Sequence, residues 1–387
     1  MIDKNIIWFF YPSGPRLTGQ ELSSLLILEL LKDKMDFYFQ RVKLAAFDRE
    51  RMWSVRHWFQ FLSSTVYACY QMLIAGINHD SIIYLNLGQS MKSLLLEGVP
   101  FGLAGMFKTQ RQSVISLHGH FFMKWTSMSI RGKLFRWILY HSSKVTVLGL
   151  SQKEKLIEWG IPQKNIQIVN NTCEKAIAIF PRRKTSNTNV NILYFSNLIE
   201  SKGYREYLMA LLVLSEMKFN TRVNAVICGR LTKSSLDRGN TYSHPVAWID
   251  DIFEKINESL NVRVSWRQDA YGIEKATVFG RADIFVFPSK IEAQPIVLIE
   301  AMASGCAIIA SSVGEIPSML KDGAGVCLDD CLPENLANSI YDLINNPKRL
   351  QAKQTSARTR FEANYSHSAY ANSWCHIFNK LTKKMHY

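Results

Sequence analysis

Short apolar runs bounded by turn residues alternate along this chain with stretches patterned for helices, and the alternation is completed twice. That pattern points to βαβ units and parallel sheets. In the first round, Ile6–Tyr11, Ser81–Leu87, Ser113–Leu117 and Lys144–Leu148 read as strands, with helices over Gly19–Lys32 and Lys133–His141. A short helix over Ser151–Trp159 is stopped by Gly160, Ile161 and Pro162, and Ile166–Val169 follows as a strand. Residues 181–191, "PRRKTSNTNVN", are polar and begin with proline, and they make the best linker in the chain. Beyond them the strands Ile192–Phe195, Asn224–Cys228, Arg263–Ser265, Ile284–Phe287 and Ala307–Ala310 alternate with helices over Tyr204–Met217, Ile273–Arg281 and Ile296–Ser304. From Ser366 the tail reads as one helix, with Tyr370, Trp374, Ile377, Phe378 and Leu381 on a single stripe. The expected organisation is a doubly wound α/β domain over 1–180, a linker over 181–191 and a second such domain over 192–365. A terminal helix over 366–387 follows. The crevice between the two domains is the default ligand site.

Bulk properties agree with two cores. A chain of 387 residues is long for one compact core, and 47% apolar residues supply material for two. The formal charge of +14 is uneven: from Gln40 to Val145 there are 13 Lys/Arg against 4 Asp/Glu. Clustered positive charge suits a polyanion, whether nucleic acid, an acidic membrane surface or a phosphorylated substrate. The cysteines are seven and scattered, which argues for a reducing compartment and against a disulfide framework. Cys327 and Cys331 have no second pair at zinc spacing and read as two buried or half-buried thiols. The opening "MIDKNIIWFFYPSG" is too short in its apolar run for a signal peptide and reads as a first strand. The longest uncharged stretch, Trp58 to Asn78, is interrupted by polar residues, so it reads as a buried or interfacial helix rather than a membrane span.

The chemistry concentrates in "FPSKIEAQPIVLIEAMASG", residues 287–305. A strand ends at Phe287, Pro295 suits the first turn of a helix, and Gly305 stops it. The loop over Ser289–Gln294 therefore lies at the carboxyl end of a parallel strand, where such sheets bind ligands. The N–H groups of the following helix turn, around Ile296 and Val297, suit a phosphate. Glu292 sits on the loop and Glu300 about one and a half turns into the helix. One carboxylate could hold sugar hydroxyls and the other ribose hydroxyls. The spacing alone is equally that of a solvated loop charge and a helix-surface charge.

In its wider setting, "FPSKIEAQPIVLIEAMASGCAIIASSVGEIPSML" resembles the signature of retaining glycosyltransferases of the GT-B fold, the group called family four or glycosyl transferases group 1. That resemblance implies two Rossmann-like domains facing across a cleft, with the C-terminal helix packing back toward the N-terminal domain. It implies an N-terminal acceptor-binding domain and a C-terminal domain for a UDP- or GDP-sugar, with no cofactor and no essential metal. "YFSNLIESKGYREYLMAL" resembles the segment that opens the donor domain and puts Lys202 near the donor diphosphate. Ser196 and Asn197 stand where many members carry arginine. Phosphate neutralisation then rests on Lys202, with Arg230 after Gly229 as a helper. "YPSGPRLTGQELSSLLILELL" resembles the family's N-terminal loop and helix, where Gly14 and Gly19 let backbone approach the sugar phosphate. "SVISLHGHFF" places His118 where the family's histidine faces the donor sugar. A metal pair of His118 and His120 lacks a completing Asp, Glu or Cys.

The expected site is thus His118, Lys202 and Glu292 as catalytic groups. Gly14, Gly19, Ser196, Asn197, Gly229, Arg230, Gln294, Pro295, Ile296, Val297 and Glu300 join Lys202 and Glu292 around the donor. A retaining glycosidase needs two carboxylates flanking the scissile bond, a role that a helix-borne Glu300 does not fit. The resemblance implies transfer from a nucleotide sugar, with the leaving diphosphate taking the acceptor proton and the protein stabilising charge. Two further stretches, "DRERMWSVRHWFQF" and "MKWTSMSIRGKLFRWILY", mix basic and aromatic residues at helical spacing. They read either as basic helices with core aromatics or as a face for an acidic membrane and a glycan or lipid-linked acceptor. No nucleic-acid motif accompanies them. The expectation is an enzyme of cell-surface polysaccharide synthesis (O-antigen, capsule or exopolysaccharide), cytoplasmic and peripheral at the inner face of the plasma membrane. A GT-B sugar-nucleotide epimerase and a non-catalytic nucleotide-sugar binder are the competitors.

Overall fold

The computed structural model describes residues 5–13, 19–32, 34, 37–45, 55–77, 81–107, 112–180, 188–232 and 245–382. The chain forms two compact units, one of Met1–Asn171 with Ser368–Tyr387 and one of Thr172–His367.

The first unit holds a parallel six-stranded sheet made of β1 (Asn5–Ser13), β2 (Phe37–Ala45), β3 (Ser81–Asn86), β4 (Ser113–Ser116), β5 (Lys144–Val147) and β6 (Ile166–Ile168). Its order is β2-β1-β3-β4-β5-β6, so the winding reverses between β1 and β3. Alternation along β1 sends Ile7, Phe9 and Tyr11 to one face and Phe10 to the other. The first face is covered by the helices Gly19–Leu31 and His367–Thr382. Trp374, fully buried on that terminal helix, meets the Tyr84 ring edge-on with centroids 5.5 Å apart. The C-terminal helix is thus part of the first unit's core, and its stripe of Tyr370, Trp374, Ile377, Phe378 and Leu381 is the buried one. The opposite face packs against Met72, Phe101, Phe135 and Ile138 from three further helices, Val55–Ile77, Val99–Phe107 and Ile130–Tyr140.

The second unit repeats the scheme with β7 (Asn189–Phe195), β8 (Arg222–Cys228), β9 (Val262–Arg267), β10 (Ile284–Phe287), β11 (Ala307–Ser311) and β12 (Val326–Leu328), in the order β12-β11-β10-β7-β8-β9. Strands β10 and β11 are buried at every position, as continuous apolar runs in a doubly covered sheet should be. The winding reverses between β7 and β10, which makes the carboxyl ends of these neighbouring strands the sheet's switch point.

The structure departs from the sequence reading at several places. The first unit ends at Asn171 rather than at 180, because Cys173 and Ile177 are buried in the second unit's core. Of the expected linker, 181–187 lie outside the described residues, while Asn189–Asn191 lengthen β7, where Asn191 N–H donates to Asp283 Oδ2 at 2.9 Å. Strand β2 was not anticipated. It is a sheet edge whose Arg41 and Lys43 stay exposed, as charges do on edges that must not pair further. All seven cysteines are free, and Cys327 is exposed rather than buried or half-buried. Among the described residues, no helix is long and apolar enough to cross a membrane.

Candidate functional site

Two loops meet at the switch point of the second sheet. The loop after β7 runs through Ser196 and Asn197 into a 3-10 turn, Glu200–Lys202. Gly203 then caps the helix Tyr204–Glu216 in the left-handed region, at φ +74°. A Cβ at Gly203 would run into the carbonyl of Pro288, so only glycine lets the two loops lie this close. Lys290 N–H donates to Ser201 O at 2.8 Å and locks them together.

This closeness sets the main contact of the site. Lys202 Nζ donates to Glu292 Oε1 at 2.5 Å, and Ser289 Oγ, fully buried, donates to the same oxygen at 2.8 Å. An ammonium has three protons, so one bond to Glu292 leaves Lys202 two for further acceptors. Gly314, at φ +57°, fixes the loop from behind: a Cβ there would meet the carbonyls of Glu292 and Ala293, and Glu315 N–H donates to Ala293 O at 2.9 Å. The helix Ile296–Ala303 starts from Pro295 with no side chain capping its first turn, which leaves the Ile296 and Val297 end open to an anion. Gln294 beside it is buried.

Glu300 is 1% exposed on that helix, and Lys275 Nζ donates to its Oε1 at 2.6 Å. Glu174 Oε1 lies 3.3 Å from the same ammonium. Burial pushes the Glu300 carboxyl above its usual range against the pull of Lys275. Burial also opposes charge on Lys275, but Glu300 and Glu174 outweigh it and hold the ammonium above its ordinary range. Lys275 comes from the helix Gly272–Arg281 and had no sequence signal, since nothing but packing brings positions 174, 275 and 300 together.

Arg230 is paired with Asp269. Its Nε donates to Asp269 Oδ2 at 2.5 Å on an exposed surface, and that bond holds the Asp269 carboxyl below its usual range. Gly229 sits against the Ser196 carbonyl, where a Cβ would collide, so the loops after β7 and β8 touch backbone to backbone.

The first unit carries the other candidates. Gly14 lies outside the described residues, and Gly19 opens the helix Gly19–Leu31, exposed. Strand β4 ends at Ser116, so His118 and His120 lie on the loop that follows it. Thr146 Oγ1 donates to Ser116 Oγ at 2.9 Å, and Ser116 Oγ lies 2.9 Å from His118 Nε2. His118 Nδ1 is 3.2 Å from Asn171 Oδ1, which only accepts. The network therefore assigns the proton to Nδ1, and Nε2 accepts from Ser116. Desolvation lowers the His118 pKa to about 4, so the ring is neutral. Both ring nitrogens have protein partners, and a sugar hydroxyl reaching Nε2 displaces Ser116.

Residues 177–360 match the family described as "Glycosyl transferases group 1". The second unit is a glycosyl transferases group 1 domain. The chain is 31% identical over 114 residues to the D-inositol 3-phosphate glycosyltransferase of Thermobispora bispora, covering 29% of this chain and 26% of that protein. It is 22% identical over 247 residues to the glycogen synthase of Mycobacterium tuberculosis, covering 62% and 55% respectively. The chain thus spans about half or less of these two relatives. Among solved structures, Anabaena Alr3699/HepE in complex with UDP-glucose superposes with a TM-score of 0.67 at 16% identity, over 98% of this chain and 99% of that one. The sucrose-phosphate synthase of Thermosynechococcus elongatus gives 0.68 at 16%, over 98% and 100%. With its two parallel six-stranded sheets, the chain has the GT-B fold. Within the group 1 domain lie Lys202, Glu292, Glu300, Arg230 and the helix start at Pro295, whereas Gly14, Gly19 and His118 lie outside the matched residues.

Proposed function

We propose that this chain is a retaining glycosyltransferase that moves a sugar from a nucleotide-diphosphate sugar to a glycan acceptor, probed first with lipid-linked oligosaccharides. The observation that carries the reading is the Lys202–Glu292 pair, held at 2.5 Å at the sheet's switch point beside an uncapped helix start. A diphosphate at that start would meet the helix N–H groups and the two remaining Lys202 protons, which stabilise the charge that builds as the sugar leaves. The second oxygen of Glu292 would take sugar hydroxyls. Glu300, with its charge balanced by Lys275, would take the ribose. His118 is kept as a sugar contact on the resemblance alone, with Ser116 yielding its bond.

The solved neighbours holding UDP and UDP-glucose support a nucleoside diphosphate as the common part of the donor. No protein nucleophile enters this scheme, and the proton of the acceptor hydroxyl goes to the leaving diphosphate. Cell-surface polysaccharide synthesis at the inner face of the plasma membrane is the setting that the basic first unit favours, with 13 Lys/Arg against 4 Asp/Glu from Gln40 to Val145.

A screen of UDP- and GDP-sugars by thermal shift selects the donor, since a ligand that binds the folded state raises its melting temperature. The chosen donor is then incubated with lipid-linked oligosaccharide and the product's anomeric configuration read by NMR. Retention with loss of activity in Lys202→Ala is expected. Release of free nucleotide without acceptor, with an epimerised sugar, would replace the reading with an epimerase.

A further inference from the structure

The helix Val55–Ile77 is apolar on two faces. One buries Ala68, Met72 and Ala75 in the core beneath the sheet. The other carries Phe59, Leu62, Val66, Tyr70, Leu73 and Ile77, three or four residues apart and therefore aligned along one side. These six are between 40% (Leu73) and 74% (Phe59) exposed. The stripe runs most of a 23-residue helix, about 35 Å at 1.5 Å per residue. At Gly76 and Ala104 this helix lies close against Val99–Phe107, whose Leu103 and Met106 are also exposed. Single exposed apolar residues need no explanation, but a continuous face of this length does.

We propose that this stripe is a membrane-docking face, seated on a bilayer surface that carries anionic lipid. Charge chooses the occupant. The helix contains no Asp or Glu, and the stretch Gln40–Val145 around it has 13 Lys/Arg against 4 Asp/Glu. A second copy would bring together two chains of like net charge, whereas anionic headgroups neutralise it. An apolar and aromatic stripe on a helix that carries no acidic residue and is unable to span is the arrangement of interfacial helices. The inference deepens the proposed function, on which it rests for the reason a bilayer would be near, namely a lipid-linked acceptor. The place rests on the geometry.

The test is co-sedimentation of the full chain with phosphatidylcholine vesicles, with and without phosphatidylglycerol. Association is expected with the anionic vesicles, and the triple variant L62S/V66S/Y70S is expected to lower it roughly tenfold or more. All three positions face solvent, so folding should persist, as a donor-induced thermal shift would confirm. Leu62→Trp supplies the opposite variant and is expected to raise association. Absence of wild-type binding to anionic vesicles, or equal binding by the triple variant, overturns the proposal. So does a lipid-free dimer that the triple variant dissociates, because the face would then belong to a second copy. A chain that docks through the stripe but takes no nucleotide sugar upholds docking and removes the function proposed above.

Discussion

Lys275 Nζ lies 2.6 Å from Glu300 Oε1, in a part of the second unit where the carboxylate is 1% exposed. Two helices, Gly272–Arg281 and Ile296–Ala303, supply the partners, and Glu174 Oε1 lies 3.3 Å from the same ammonium. A buried carboxylate keeps its charge only where a cation stands beside it.

Removing that cation leaves Glu300 buried and uncompensated. Lys275→Met is expected to destabilise the fold by about 3 kcal/mol, the usual cost of breaking a buried pair from one side. Chemical denaturation measures it. The double variant Lys275→Met/Glu300→Gln should recover much of the loss, since neither charge then remains. A Lys275→Met protein as stable as the wild type would show that Glu300 is solvated or protonated instead.

Gly203 is constrained twice, by φ +74° and by the Pro288 carbonyl. Alanine there costs about 1 kcal/mol for the backbone alone, and the overlap with Pro288 adds to it. Asparagine tolerates the left-handed region but still carries a Cβ. Gly203→Asn and Gly203→Ala are therefore expected to be similarly unstable and to weaken donor binding together, because Lys202 moves with the loop. Rescue by asparagine would mean that the dihedral angle alone matters.

The neutral His118 ring makes stability depend on pH. Its folded pKa, about 4, lies below the ordinary value of 6.5, so the unfolded chain binds more protons between these values. This contribution is fully present above pH 6.5 and is lost as pH falls toward 4, amounting to at most about 3 kcal/mol. Glu97 works in the opposite direction, since burial raises its carboxyl to about 7. The measurement is consequently the difference between wild type and His118→Asn in melting temperature from pH 7 to pH 4. The wild type is expected to lose more stability over that range, and parallel curves would contradict the assignment of a neutral ring.

What could be read before the fold was known divides by the range of the physics. Strands such as Ile284–Phe287 are buried on both faces, so their apolar runs announce them. The terminal helix shows its stripe because Trp374 and Phe378 recur at helical spacing within one element. Strand β2 was hidden because an edge strand with exposed Arg41 and Lys43 has no continuous apolar run. At the site, Lys202 and Glu292 could be nominated from the loop patterns that surround them. Their contact could not, because it depends on Gly203 letting one loop approach another 85 residues away at Pro288. Gly314 and Lys275 were missed for the same reason: each acts through a neighbour distant in sequence. Arg230, nominated as a helper for the phosphate, pairs with Asp269, a contact that likewise had no signal in the sequence.

The most direct test is calorimetric titration of the donor selected by thermal shift into the wild type, Lys202→Ala and Glu292→Gln. A nucleotide sugar is expected to bind the wild type, and each substitution is expected to weaken it roughly tenfold or more, the loss of one charge-assisted hydrogen bond. Equal affinity in all three proteins, or no binding of any nucleotide sugar to the wild type, would contradict a donor site built on Lys202 and Glu292.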